Sequence, residues 1–261
     1  MRPLARSSLF RPGLLAAALC AGSAFVSASD HAAHWGYDHG LSPAEWSGIA
    51  PACSGPQQSP IDLRSHLVRH GTRHELELEY QDTRFEVLNN GHTLQATPQS
   101  GVQNYIELAG ERYSLAQFHL HTPSEHVVDG RTHAMELHLV HIHPSGKVAV
   151  VAAFFDVGEH NDVLGELFER TRGELSQPGE HVRLSAEIDP AELLPAHSRV
   201  AHYAGSLTTP PCTEGVQWSI EMNPQTLSRQ QLEALRAVFP HNARPIQPLN
   251  HRRLVDEPAA P

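Results

Sequence analysis

Gln117-Phe-His-Leu-His121 and Glu136-Leu-His-Leu-Val140 are the two stretches on which the fold and the chemistry turn. Successive side chains of a β-strand point to opposite faces, so Gln117, His119 and His121 share one face and Phe118 and Leu120 the other. The same period groups Glu136, His138 and Val140, with Leu137 and Leu139 behind them. Two imidazoles two residues apart on a strand can reach a single ion. With the two strands as neighbours, three neutral nitrogen donors would converge, and three such ligands with an open fourth position describe a catalytic zinc site, not a closed structural one. The competing reading is a polar sheet face with hydrogen-bonded histidines. The chain has 20 histidines, so any one taken alone is a surface or structural residue, and spacing has to do the selecting.

Strand signals continue on both sides of this pair. Glu75 to Tyr80 alternates strictly, and β-like runs follow at 84–89, 92–96, 105–108, 113–121, 134–143, 148–156 and 216–222. His143-Pro-Ser-Gly-Lys147 predicts a hairpin connection. Helices are few: one over 162–170, with Asn161 or Asp162 as cap, and one over 228–238, opened by Ser228 and Gln231 as a capping box. The expected fold is mostly β: a single domain built on a large, mainly antiparallel central sheet with a few peripheral short helices. Strand order does not follow from these signals.

The ends and the composition set the context. Arg2, Arg6 and Arg11 precede an apolar run from Gly13 to Val26, and Val26-Ser27-Ala28 predicts a small-residue cleavage site. Residues 1–28 are thus expected to be a cleaved signal peptide and 29–261 the working domain, periplasmic or secreted, with no membrane span. Cys20 raises a lipid anchor as the alternative, which the bulk of Leu19 disfavours. Cleavage changes the charge from 19 − 29 = −10 to 16 − 29 = −13, because three arginines leave. An acidic surface argues against nucleic acid as a partner. Cys53 and Cys212 remain as an even pair in an exported chain, either bridged or two buried thiols.

The residues around the histidines carry a further signal. Gln117-Phe-His-Leu-His-Thr-Pro-Ser-Glu-His126, Ala134-Met-Glu-Leu-His-Leu-Val-His141 and Gly205-Ser-Leu-Thr-Thr-Pro-Pro-Cys-Thr-Glu-Gly-Val216 closely resemble the zinc core of the α-class carbonic anhydrases, in their secreted, bacterial form. His34-Trp-Gly-Tyr37, Gln58-Ser-Pro-Ile-Asp62, Asn89-Asn-Gly-His92 and Arg244-Pro-Ile-Gln-Pro-Leu249 extend the resemblance, in order, over nearly all of 29–261.

The resemblance implies a zinc lyase that hydrates carbon dioxide reversibly to bicarbonate and a proton, through zinc-bound hydroxide. It implies Zn2+ on His119, His121 and His138, with Gln117, Glu136 and the Asn242 carbonyl orienting them. Thr208 and Glu125 would orient the hydroxide, and His92 would carry the proton out past Tyr37, Asn90, Gln95 and Thr209. Val140, Val150, Leu207 and Trp218 would form the apolar wall for carbon dioxide; taken singly, each is an ordinary core residue. A Cys53–Cys212 disulfide, cis bonds at Ser59-Pro60 and Pro210-Pro211, and inhibition by sulfonamides and anions are implied as well. A homodimer is implied only by analogy with bacterial members.

Two rival functions share the scaffold: a zinc hydrolase of small esters, and a non-catalytic carbonic anhydrase-like binding module. The second typically loses a ligand histidine, and this chain keeps all three. Gln95 and Ala201 depart from many animal members, at positions expected to affect inhibitors more than the reaction. His66, His70 and His74, spaced four apart, read as loop and surface residues because Gly71 interrupts them.

Overall fold

The alternation of Glu111–His121 and Met135–Ile142 places two adjacent antiparallel strands at the middle of a twelve-stranded sheet. The computed structural model describes residues 34–38, 40–71 and 76–257; the expected signal peptide, His74 and Glu75 lie outside them. Across the sheet the order is His181–Arg183, Phe85–Asn89, Leu94–Pro98, Glu111–His121, Met135–Ile142, Val148–Val157, Glu214–Leu227, Val200–Ser206, Leu254–Glu257 and Val68–His70. Tyr105–Leu108 pairs with Glu111–His121 and with Leu76–Glu79. Three very short strands form a separate sheet at 62–63, 127–128 and 131–132.

Most pairings are antiparallel, as expected, but Val148–Val157 runs parallel to Glu214–Leu227, and Leu254–Glu257 parallel to Val68–His70. The sheet is therefore mixed. Parallel neighbours need a long crossover, and residues 158–213 supply it here.

Register decides which residues meet. His119 faces His138, Glu136 faces His121, and Gln117 faces Val140. The next strand sets Val150 beside Val140, and Trp218 lies beside Val150. Phe118, Leu120, Leu137, Leu139, Val151 and Phe155 point the other way, into a large apolar layer closed by Leu167, Phe168, Leu232 and Leu235. Val150, Ala152, Phe154, Trp218 and Ile220 form a second layer on the histidine face. Both faces of the Val148–Val157 strand are thus buried from Ala149 to Phe155, which explains the unbroken apolar run from Val148 to Phe155. Burial worth about 1.5–3 kcal/mol per large apolar side chain stands behind the polar strip and holds it rigidly.

The helix predicted over 228–238 is Arg229–Arg236, and its capping box forms: Gln231 N–H donates to Ser228 Oγ and Ser228 N–H to Gln231 Oε1. The helix predicted over 162–170 begins later, as Gly165–Thr171. Asn161 Oδ1 instead accepts from Leu164 N–H and caps the turn before it. The described residues form one compact unit, and no helix among them is long and apolar enough to cross a membrane.

Candidate metal centre

Three imidazoles converge at the middle of the sheet, and one nitrogen of each is already committed. His119 Nδ1 lies 2.8 Å from Gln117 Oε1, His121 Nδ1 2.7 Å from the Asn242 carbonyl, and His138 Nε2 2.7 Å from Glu136 Oε1. Carbonyl and carboxylate oxygens only accept, so each of these ring nitrogens must carry the proton. The remaining nitrogens, His119 Nε2, His121 Nε2 and His138 Nδ1, then carry lone pairs. All three lie within 4.8 Å of one another. His138 Nδ1 and His119 Nε2 are 3.3 Å apart, and with these tautomers neither can donate to the other.

Three buried lone pairs aimed at one point repel unless a cation lies between them. His121 Nε2, moreover, has no hydrogen-bond partner, a costly state for a buried polar atom. The residues present therefore fit a metal ion taking three neutral nitrogens. Burial holds the His119 imidazole well below its usual pKa, helped by His121 and His138, and burial also lowers His121. Both effects favour the neutral, metal-ready form.

Behind the three histidines lies a hydrogen-bonded scaffold. Burial by itself would raise the Glu136 carboxyl, but His126 and His138 beside it hold it well below the usual range. Glu136 Oε1 meets His126 Nδ1 as well as His138, each at 2.7 Å, while Oε2 accepts the backbone N–H groups of Glu125 and His126. His126 Nε2 reaches the Tyr203 hydroxyl at 2.6 Å, and Tyr203 donates on to Ser59 Oγ at 2.7 Å. His126, Glu136 and His138 lie close enough to suggest a second metal cluster. Every Glu136 oxygen is occupied by N–H donors, however, so this group is a relay of hydrogen bonds.

Glu125 and Thr208 are both buried. Glu125 Oε1 accepts from Arg244 N–H at 2.9 Å, while Oε2 lies 3.5 Å from His121 Nε2 without a hydrogen-bond partner. No hydrogen bond joins Thr208 to Glu125 among the described residues, and the free oxygen is on the side of His121 Nε2. Val150 and Trp218 are buried, with Val140 and Leu207 packed against the same layer, and the Trp218 and His138 rings meet edge-on at 4.9 Å.

His92 sits on a tight turn. Asn90 Oδ1 accepts from the N–H groups of His92 and Thr93, and Gly91 supplies the positive φ the turn requires. The His92 ring lies flat on Trp35, with centroids 3.6 Å apart and planes at 9°. Burial, and then His34, lowers its pKa. Asn90 Nδ2 donates to Gln95 Oε1, and Gln95 is the sheet neighbour of His119. Burial, with the Glu125 carboxylate, holds the Tyr37 hydroxyl well above its usual pKa. Thr209 is half-buried, and its carbonyl accepts from Cys212 N–H.

Cys53 and Cys212 are bonded, tying the segment after Trp46 to the loop that carries Thr208. The Arg244 guanidinium holds the same region together through Gln58 Oε1 and the Ser59 and Cys53 carbonyls. Ser59-Pro60 and Pro210-Pro211 are cis, as is Thr122-Pro123. The roles of His126, Tyr203, Ser59 and Arg244 are not visible in the sequence: His126 ends the motif that begins at Gln117, but its partner Tyr203 lies 77 residues away.

Fold and site together define a protein with three converging histidines that could hold a metal ion, on the face of a large mixed sheet. Residues 41–257 match the model of the eukaryotic-type carbonic anhydrases. A carbonic anhydrase of Nostoc sp. is 38% identical over 231 residues, 85% of this chain and 86% of that one. One from Pectobacterium carotovorum is 36% identical over 249 residues, 93% and 99% of the two chains. Among solved structures, the α-carbonic anhydrase of Thermovibrio ammonificans, in complex with the inhibitor sulfanilamide, superposes with a TM-score of 0.80 at 39% identity, covering 85% of this chain and 98% of that one. The chain belongs to the eukaryotic-type, or α, carbonic anhydrase family, and its activity is that of a carbonic anhydrase.

Proposed function

We propose that this chain hydrates carbon dioxide reversibly at a zinc ion held by His119 Nε2, His121 Nε2 and His138 Nδ1. The observation that carries this reading is the committed outer nitrogen of each imidazole, which leaves three lone pairs facing one another. Three neutral nitrogens suit zinc with an open position. Bound there, zinc supplies Lewis-acid activation of water near neutral pH, an effect for which carbonic anhydrases are themselves the standard example.

The chain's own residues supply the rest. Gln117, Glu136 and the Asn242 carbonyl fix the tautomers and ring orientations, as outer partners of metal-bound histidines do. Glu125 presents an unpaired acceptor oxygen to the centre, and the buried Thr208 hydroxyl, able both to accept and to donate, is its partner in this reading. Together they set the direction in which a reacting oxygen points its lone pair. Carbon dioxide is apolar, and Val140, Val150, Leu207 and Trp218 give it a dry wall next to the ligands. His92, on the side of Tyr37, Asn90, Gln95 and Thr209, takes the released proton toward solvent. Weak ester hydrolysis is expected as a side reaction of the same site.

The disulfide between Cys53 and Cys212 supports export to an oxidising compartment, with residues 1–28 removed. The N-terminal residue of the exported protein checks this, and a start far from Ser29 would reject it. Sulfonamides and simple anions are expected to inhibit by occupying the open metal position. Metal analysis of the purified protein tests the centre: the intact chain should hold one zinc per molecule, and His119→Ala should lose it at stoichiometric level. A His119→Ala protein that keeps its zinc would reject the ligand assignment.

A further inference from the structure

Asn242 is fully buried and uses every polar group it has. Its carbonyl accepts from His121 Nδ1 at 2.7 Å, and its own N–H donates to the Thr122 carbonyl at 3.1 Å. The side chain does something separate. Oδ1 accepts from Thr122 N–H at 2.7 Å, while Nδ2 donates to the Leu120 carbonyl and to the His92 carbonyl, each at 3.0 Å. One residue therefore grips the ligand strand on both sides of His121 and, with the second hydrogen of the same amide, the backbone of His92.

The His92 turn needs such a grip. Its inner bonds run to Asn89 and Asn90 within the turn itself. Thr93 ties the following residue to the ligand strand, donating from Oγ1 to the Leu120 carbonyl at 2.5 Å and accepting from Leu120 N–H. At His92 itself, the Asn242 amide is the tie to the metal-bearing strand. Only an amide can accept once and donate twice in this plane. Aspartate would turn an oxygen toward two carbonyls, and an apolar residue would take from the His92 carbonyl the donor it has here, while Leu120 keeps Thr93.

We infer that the Asn242 side chain is a positioning residue for proton release, fixing the backbone of His92 relative to the metal ligand that the same residue orients through its carbonyl. This rests on the reading of His92 as the proton carrier. Transfer through a short path depends steeply on donor and acceptor placement, so a loosened His92 backbone slows the return of the active form. Steps up to and including the conversion of carbon dioxide do not use His92. The loss therefore falls on kcat and spares kcat/KM.

The test compares zinc-loaded wild-type, Asn242→Ala, Asn242→Asp, His92→Ala and the double variant Asn242→Ala/His92→Ala, by carbon dioxide hydration at low and high imidazole. Asn242→Ala keeps the backbone carbonyl and should keep its zinc. Its kcat in weak buffer should fall about tenfold, an amount that misplacing a proton-transfer group readily gives, while kcat/KM holds and imidazole restores turnover. Asn242→Asp, which retains the acceptor for Thr122, should show the same split and serves if the alanine variant does not fold. The double variant should be no slower than His92→Ala. Backbone 15N relaxation should show lower order at His92 with the three ligand histidines unchanged.

A slow His92→Ala enzyme alongside an Asn242→Ala enzyme of wild-type kcat would overturn the positioning role. So would equal losses in kcat and kcat/KM, unchanged order at His92, or independent, multiplying effects in the double variant. Wild-type kcat in His92→Ala would instead overturn the proton-carrier reading on which the role rests.

Discussion

His126 and His138 share one carboxylate oxygen: Glu136 Oε1 lies 2.7 Å from a ring nitrogen of each. The carboxylate thus sets the tautomer of His138 on one side and, through His126, joins it to Tyr203 and Ser59 on the other. Its second oxygen is spent on two backbone N–H groups that shape the turn bearing Glu125. The orientation of His138 and the local fold are one structure at this point.

Glu136→Gln tests that coupling. A neutral amide can accept at one end only, and its NH2 would face N–H donors at the other. Zinc affinity should fall about 10–100-fold, a range for which carbonic anhydrases are themselves a source. Thermal stability should fall with it. Competition with a chelator and a melting curve of the zinc-loaded protein read both; unchanged affinity would show that His138 needs no fixed partner.

A second prediction concerns pH, at a buried carboxyl with no part in the proposed chemistry. Glu221 is buried on the Glu214–Leu227 strand, and burial raises its pKa to about 7, partly offset by a hydrogen bond from Ser198. The folded state thus holds the Glu221 proton more tightly than the unfolded chain, with its ordinary value near 4.5. Stability from this group is complete below pH 4.5, declines as pH rises toward 7, and is gone above it. Glu221→Gln should remove that slope. Relative to wild type, the variant should gain on the order of 3 kcal/mol between pH 4.5 and 8, by linkage over the shift. Denaturant unfolding at several pH values measures the difference, and a pH-independent difference would place the Glu221 pKa at its ordinary value.

Trp35 covers one face of the His92 ring. Burial is the larger cause of the lowered His92 pKa, with His34 the lesser. Trp35→Ala should therefore raise it toward the ordinary histidine value, as read from the ring proton resonances in an NMR titration. An unchanged value would mean that Trp35 contributes nothing to that burial.

How much of this was open to the sequence depends on the range of the interaction involved. The alternation of Gln117 to His121 and of Glu136 to Val140 declares two strands and a shared face, because strand periodicity is local. The capping box at Ser228 is equally local, and it forms as expected. Val200–Ser206 escapes because Val-Ala-His-Tyr-Ala-Gly-Ser offers small residues in place of β-branched ones; its strand character comes from pairing with Glu214–Leu227 on one side and Leu254–Glu257 on the other. The two parallel pairings of the large sheet are likewise invisible locally, since they join segments more than 50 residues apart.

The same division runs through the site. His119, His121, His138, Gln117 and Glu136 stand out by spacing. Asn242, Thr208, Glu125 and His92 rest on family resemblance alone, whereas Cys53 and Cys212 stand out as an even pair and the resemblance adds their bond. The side-chain bonds of Asn242, the Tyr203–Ser59 branch and the stacking of His92 on Trp35 join distant segments and needed three dimensions.

The most direct measurement is stopped-flow hydration of carbon dioxide by the purified, zinc-loaded protein, with and without sulfanilamide, beside the His119→Ala variant. The account predicts fast hydration by the intact protein, abolished by the sulfonamide and absent from the variant. A folded, zinc-loaded protein without hydration activity, or a His119→Ala variant that retains it, would contradict the account.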